Sequence, residues 1–518
     1  MVPCMISFRG HEAPAWVLDA LHSGAVGAVC LFNFNVASAQ QLRELNLSLM
    51  AAAAEGGHPP PLIGIDQEGG QLQAVSHGAT ELPGNMALGA VGSEELARRT
   101  GAVLGRELLA LGVNMNFAPV LDLATQPDND AMGVRVFGTA PALAARLGAA
   151  LIEGMQQEGV LATAKHFPGH GDTHLDSHLA APVINAELHL LEARELEPFA
   201  AAMRAGVAAV MTCHAYYPAL DPDNVATHSA KILKDLLRDR LGFGGLVVTD
   251  ALDMSGVGSM PDLERAVRAV RAGADLAMLG HLPDQEGLVR RMVELGQGAS
   301  AERVMAVRRR LPAALPPLSA LATPEHLAVA RETAEAAITA LRGSPCLRST
   351  ERVLLIGVEA GDLTPAETAA GSKLLLGEQL RARVGDLQEL TLRRGAPQGE
   401  VEALLQRALE WRAGGAGEVV VASVNAASDP AQLELLARLT QAGLDPLLVA
   451  LRAPFDVVAA SFVPRAVASY GRRAVQTEAV ARVLCGEIPA AGSAPVTLPE
   501  GATAGPETSG PVGAGEGG

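Results

Sequence analysis

The sequence holds no uninterrupted apolar run of about 18 residues, so no helix is expected to cross a membrane. Its N-terminus, MVPCMISFRGHEAP, has no basic segment leading into a long apolar one. No secretory leader is therefore expected, and a cytoplasmic location follows. Cysteine is scarce: Cys4, Cys30, Cys213, Cys346 and Cys485 are odd in number, widely scattered, and free of CxxC or Cys/His spacing. That pattern argues against a disulfide framework and against a structural metal site. Positive charge is also in deficit. Forty basic residues stand against fifty-seven acidic ones, a net charge of −17, which argues against nucleic acid or an anionic membrane as partner. Only four of the basic residues are lysine; in an Ala/Gly-rich background this reads as a GC-rich genome and not as a binding feature.

What is present is an ordinary soluble composition, 49% apolar and 19% charged over 518 residues. That length is too great for one ordinary core and implies two domains. The apolar runs GAVGAVCLF, PLIGID, VNMNFAPVLDL, GVLATAKHF, GVAAVMTCH, GFGGLVVTD and GADLAMLG alternate with segments of helical period such as SEELARRTGAVLGRELLAL. Continuous apolar strands alternating with helices mean parallel strands covered by helices. Seven or eight such units in roughly 300 residues fit a (β/α)8 barrel better than an open sheet. The Pro-rich stretch LPAALPPLSAL breaks the rhythm, and a second α/β pattern follows with ERVLLIGV, GEVVVASV, DPLLVALRAP and RAVASYG. The expected organisation is a barrel over 1–310, a linker over 311–322, a smaller α/β domain over 323–500 and a disordered tail over 501–518.

Ionisable residues stand at the ends of these apolar runs. Asp66 ends PLIGID, Asp122 ends NFAPVLD, Lys165 and His166 end VLATAKH, His214 ends AAVMTCH, and Asp250 ends GLVVTD. In a (β/α)8 barrel the C-terminal strand ends meet in one bowl, where active sites sit. Helix capping could account for one or two of the aspartates; lysine and histidine are poor N-caps, so a catalytic bowl is the better account. Asp250 is placed to point into it as a nucleophile, whereas Asp253, about one turn on, reads as a cap or a solvent-facing residue.

The segment KHFPGHGDTHLDSH carries His166, His170, His174 and His178 at four-residue spacing. On a helix this would make a metal-binding face, but Pro168, Gly169 and Gly171 forbid a continuous helix, and no metal is expected. Within this loop Asp176 lies two residues from His178. A carboxylate beside an imidazole favours its protonated form, as a proton donor requires. The same pair would equally serve as a hydrogen-bonded brace in a rigid loop. Asp66 precedes a Gly pair in GIDQEGG, a turn that lets backbone approach a ligand closely.

Together these segments resemble glycoside hydrolase family 3, in its β-N-acetylglucosaminidase branch. The resemblance runs from MISFRG through GIDQEGG, GVNMNFAPVLDL, GVRVFG, KHFPGHGDTHLDSH, VMTCHAYYPALD and GFGGLVVTDALDMSG to PLLVALRAPFDV, ASYG and APVTLP. KHFPGHGDT followed by DSH is the specific part. The resemblance implies a (β/α)8 barrel followed by an αβα domain, with no cofactor. It implies a retaining hydrolase of β-linked N-acetylglucosamine, with Asp250 as nucleophile, His178 as acid/base and Asp176 as its supporting carboxylate. Asp66, Arg135, Lys165 and His166 match positions that hold the sugar, Arg135 being known only from the match. The implied partner is a small carbohydrate from peptidoglycan turnover.

Two departures bear on substrate. The family usually continues GIDQEGG with R-V-x-R, where this chain has Gln71-Leu72-Gln73-Ala74, and GVRVFG has Val136 where Ser is common. Loss of both arginines implies weakened sugar binding. The rival functions are a phosphorylase with the same catalytic residues, a β-glucosidase, against which the DSH loop argues, and a non-catalytic sugar-binding protein.

Overall fold

The computed structural model describes residues 1–177, 179–295, 299–312, 314–364, 367–368 and 375–499. His178 and the 501–518 tail lie outside the described residues. Eight parallel strands come first: β1 (Cys4–Met5), β2 (Ala28–Leu31), β3 (Leu62–Ile65), β4 (Met115–Asn116), β5 (Leu161–Phe167), β6 (Ala209–Thr212), β7 (Leu246–Thr249) and β8 (Ala277–Met278). Strands β2 to β7 pair in sequence order, and β1 pairs with β8. Parallel bridges between Ile6 and Val29 and between Val248 and Leu276 join the two groups, so the ring closes.

Parallel neighbours demand a crossover, and a helical segment follows each strand. These segments are Ala15–His22, Ala39–Glu55, Glu94–Ala110, Pro141–Gln157, Leu196–Arg204, Lys231–Arg240, Asp262–Ala272 and Gln285–Glu294. Their starts carry ordinary signals. Ser38 accepts from Gln41 N, Ser93 from Leu96 N and Asp284 from Gly287 N, and Pro141 opens its helix.

Alternation along each strand builds two cores. Met5, Cys30, Leu62, Met115, Met211, Leu246, Val248 and Met278 fill the barrel interior. Their neighbours Cys4, Val29, Leu31, Ile63, Ile65, Val210 and Val247 face the helices. Runs apolar at every position are the consequence of burial on both faces. Gly64 is required inside: a β-carbon there would lie 2.4 Å from Cζ of Phe117, whose ring fills that space.

The Pro-rich break holds a short turn, Leu318–Ala320, before the helix Pro324–Ala337, which Thr323 caps. A six-stranded sheet follows, with β9 (Thr339–Arg342), β10 (Arg352–Glu359), β11 (Asp386–Arg393), β12 (Glu418–Ser423), β13 (Leu447–Ala450) and β14 (Arg465–Ala468). The order is β9-β14-β13-β12-β10-β11, parallel except for β9. Helices cover both faces: Leu354, Ile356 and Leu448 enter one core, and Val353, Leu355 and Val449 the other. The first of these cores continues into the barrel domain through Met86, Val120, Val134 and Val136. Val136 is thus interface packing. Among the described residues no helix is long and apolar enough to cross a membrane.

Candidate active site

Asp66, Arg135, Lys165, His166 and Asp250 line one cavity of about 550 Å³ at the C-terminal ends of the barrel strands. Three of its walls carry their ion pairs with them. Lys165 Nζ lies 2.6 Å from Asp66 Oδ1 and 2.7 Å from Glu68 Oε1. Arg135 donates to both oxygens of Glu68, at 2.9 and 2.8 Å. Glu68 sits in the hairpin Gln67–Gly69/Leu72–Gln73 directly after β3, and its side chain is 2% exposed. Burial alone would raise its pKa; the charges of Arg135 and Lys165 win and hold it down at about 2. Burial would likewise lower the Lys165 pKa, but Asp66 and Glu68 keep it above its ordinary value. Two cations and two carboxylates therefore make a locked, nearly neutral cluster with Asp66 at its exposed edge.

His166 connects this cluster to β7. Its Nδ1 lies 2.7 Å from Asp122 Oδ2, and its Nε2 lies 3.8 Å from Asp250 Oδ2. Asp122 is fully buried and also takes the backbone N–H groups of His166 and His170. Burial would raise its pKa, and His166 lowers it below the ordinary carboxylate value. An ionised Asp122 fixes the imidazole with its Nδ1 as donor, which turns Nε2 toward the cavity. His214 is a second brace: its Nδ1 meets Thr227 Oγ1 at 2.7 Å and its Nε2 meets the carbonyl of Ala251 at 3.0 Å. Asp122 and His214 thus serve the bowl from behind.

Asp250 follows β7 and accepts from the backbone N–H of Ala251 at 2.8 Å, with its side chain 17% exposed. Asp253 differs from the expectation of a cap or a solvent-facing residue. It lines the same cavity, and its Oδ2 lies 3.0 Å from His281 Nδ1 after β8. Burial pushes its pKa up, and His281 outweighs this and lowers it. Asp253 caps no helix: the short 3-10 turn Ser255–Val257 is preceded by Met254 and has no side-chain cap, and the next α-helix starts at Asp262.

The loop after β5 reaches the same rim. Gly256 N donates to the carbonyl of Ser177 at 2.9 Å, so the residue next to Asp176 is tied to the turn that follows Asp250. Asp176 itself is half-buried and does not line the cavity, and its carbonyl accepts from Leu179 N and Ala180 N. His166 and His170 are buried and His174 is exposed, so these three histidines share no face.

The second domain closes one side. Glu367 and Thr368 line the cavity. The Thr368 hydroxyl donates to the carbonyl of Gln73, and its N–H donates to that of Gln71. Arg452, 2% exposed, donates to Gln71 Oε1 at 3.2 and 2.8 Å. An arginine of the second domain thus takes up the side chain at one of the two positions where arginine is missing. Ala74, at the other, lines the cavity. Glu68, Arg9, Phe34, His281, Glu367 and Thr368 carried no local sequence signal for this site.

The glycosyl hydrolase family 3 N-terminal domain matches residues 8–313. The chain belongs to that family. It is a glycoside hydrolase of the branch that the KHFPGHGDT…DSH segment resembles. The β-hexosaminidase A of Pseudoalteromonas piscicida is 33% identical over 360 residues, 62% of this chain and 60% of that one. The chain thus spans less than two thirds of that relative's length. The β-hexosaminidase of Nitrosomonas eutropha is 38% identical over 289 residues, 54% of this chain and 81% of its own. Among solved structures, a family 3 β-N-acetylglucosaminidase from Paenibacillus sp. str. FPU-7 superposes with a TM-score of 0.89 at 36% identity. It covers 96% of this chain and 97% of its own.

Proposed function

We propose that the chain is a retaining β-N-acetylhexosaminidase that releases β-linked N-acetylglucosamine from peptidoglycan-derived fragments. The observation that carries this reading is the position of Asp250. Its carboxylate ends β7 in the cavity that Asp66, Lys165 and His166 also line. In the first half-reaction Asp250 attacks the anomeric carbon, and the glycosidic bond breaks as His178 gives its proton to the leaving oxygen. In the second, His178 takes a proton from water, which displaces Asp250 and restores the starting configuration. Asp176 supports the charged form of His178. Asp66, Arg135, Lys165 and His166 hold the hydroxyl and acetamido groups, the two cations being neutralised in advance so that they offer hydrogen bonds at little electrostatic cost.

The test is turnover of 4-nitrophenyl N-acetyl-β-glucosaminide with and without phosphate. Asp250→Asn is expected to lower kcat by at least 1,000-fold in a folded protein, and a 2-fluoro glycosyl fluoride is expected to label Asp250. Labelling of Asp253, or release of a sugar 1-phosphate in place of free sugar, would overturn the assignment.

A further inference from the structure

The loop that carries Asp176 leaves β5 at Pro168 and meets the wide turn Leu191–Glu195, which leads into the helix Leu196–Arg204. Two ionisable residues of that turn, Arg194 and Glu195, do not line the cavity of Asp250. We propose that they are positioning residues for the acid/base loop. They hold its base through Asp172 and Gly169, and so set how well the leaving oxygen is protonated. The inference rests on the catalytic reading above.

Arg194 bridges the loop and the helix. Its Nε donates to Glu195 Oε1 at 2.7 Å and its Nη2 to Asp172 Oδ2 at 2.6 Å. The other oxygen of Asp172 accepts from Gln126, in the loop after β4, at 2.7 Å. Asp172 is therefore gripped by side chains of two other elements, a short way before Asp176. Asn129 Nδ2 donates to the carbonyls of His170 and Gly171, and the Tyr217 hydroxyl donates to that of Gly169. At the far end Ser177 is tied to Gly256. Thr173 to Asp176 thus span a strap between two fastenings, and a strap is only as well placed as its ends.

Glu195 is the unusual member. Its side chain is 1% exposed, it lies in a π-type turn, and its Oε2 has no hydrogen-bond partner. It is pressed against the loop base: a β-carbon at Gly169 would lie 2.8 Å from Glu195 Cβ. A buried acid left with an unpartnered oxygen costs free energy, so packing alone does not account for it. Burial pushes its carboxyl up to about 7; Arg194 offsets part of this, and Asp122 and Asp172 add to it. Tyr217, also packed here, is pushed up by burial and stays neutral. Below about pH 7 Glu195 is neutral, keeps Oε1 as an acceptor for Arg194, and leaves the charge of Arg194 to Asp172.

The experiment compares two N-acetyl-β-glucosaminides at about pH 6, below the Glu195 value. The phenyl glycoside needs a proton on its leaving oxygen, whereas the 2,4-dinitrophenyl glycoside departs without one. His178→Ala should lower kcat/KM far more for the phenyl glycoside; equal losses there would overturn the catalytic reading and this one with it. Arg194→Gln should lower kcat/KM for the phenyl glycoside roughly 10-fold, the low end for a charge-assisted hydrogen bond because Asp172 is partly exposed. The dinitrophenyl glycoside should change less than about 2-fold. Asp172→Asn should show the same split, and the double variant should lose no more than either single one, since both act through one contact. Glu195→Ala should behave like Arg194→Gln, and Glu195→Gln, which keeps an oxygen for Arg194, should restore most of the loss. If His178→Ala shows the split and folded Arg194→Gln loses equally on both glycosides, or on neither, the proposal is overturned. Losses that multiply in the double variant would overturn it as well.

Discussion

Replacing Glu68 by Gln tests how the sugar-binding cluster is held. The carboxylate is 2% exposed and accepts three charge-assisted hydrogen bonds, two from Arg135 and one from Lys165. Its pKa falls from 4.5 to about 2, a difference of roughly 2.5 units. At about 1.36 kcal/mol per unit this corresponds to about 3 kcal/mol of stability. The independent expectation for removing one partner of a buried ion pair is about 3–5 kcal/mol. The pKa is lower in the folded than in the unfolded chain, so this stability is present above pH 4.5 and is lost as pH falls toward 2. About 2 kcal/mol of it should already be gone at pH 3 by the same linkage. Urea unfolding followed by the fluorescence of Trp16 and Trp411, one in each domain, measures the difference between Glu68→Gln and wild type. A loss of about 3 kcal/mol is expected at pH 7, shrinking to about 1 at pH 3. A loss below about 1 kcal/mol at pH 7, or one that stays constant down to pH 3, would refute the reasoning.

Ala74→Arg restores a cation facing the cavity and should lower KM for the 4-nitrophenyl glycoside about 10-fold with little change in kcat. A raised KM would mean that the pocket has been rebuilt around the smaller residue. Gly64→Ala pushes a methyl against the Phe117 ring and should cost about 1–3 kcal/mol in urea unfolding. Phe117→Leu in the same background should recover part of that cost, and failure to do so would show that the strain lies elsewhere.

The barrel was legible because parallel strands buried on both faces must be apolar at every position. The first polar residue after each run therefore marks a strand end. That rule located Asp66, Lys165, His166 and Asp250 without any knowledge of packing. It could not tell which way a side chain turns once the strand stops, which is why Asp122 and His214, at equivalent places, turn to His166 and Thr227 behind the wall and do not line the cavity. Asp253 was misjudged for a related reason: its partner His281 lies beyond the next strand, 28 residues away. Glu68 looked like one polar residue in a glycine-rich turn, since its partner Arg135 is 67 residues on. The contributions of Thr368 and Arg452 come from another domain, and no local pattern announces a contact spanning several hundred residues. The pairing of charges is set by three-dimensional closure, whereas the strand ends are set by local burial.

The apolar layer through Met86, Val120, Val134 and Val136 belongs at once to the barrel and to the sheet domain. A barrel severed at the linker would carry an oily scar, and nothing in its own sequence could cover it. Trimming this protein to its catalytic half thus calls for repainting that seam with polar residues first. A fragment left unpainted should seek company, either its own lost half supplied in trans or another copy of itself.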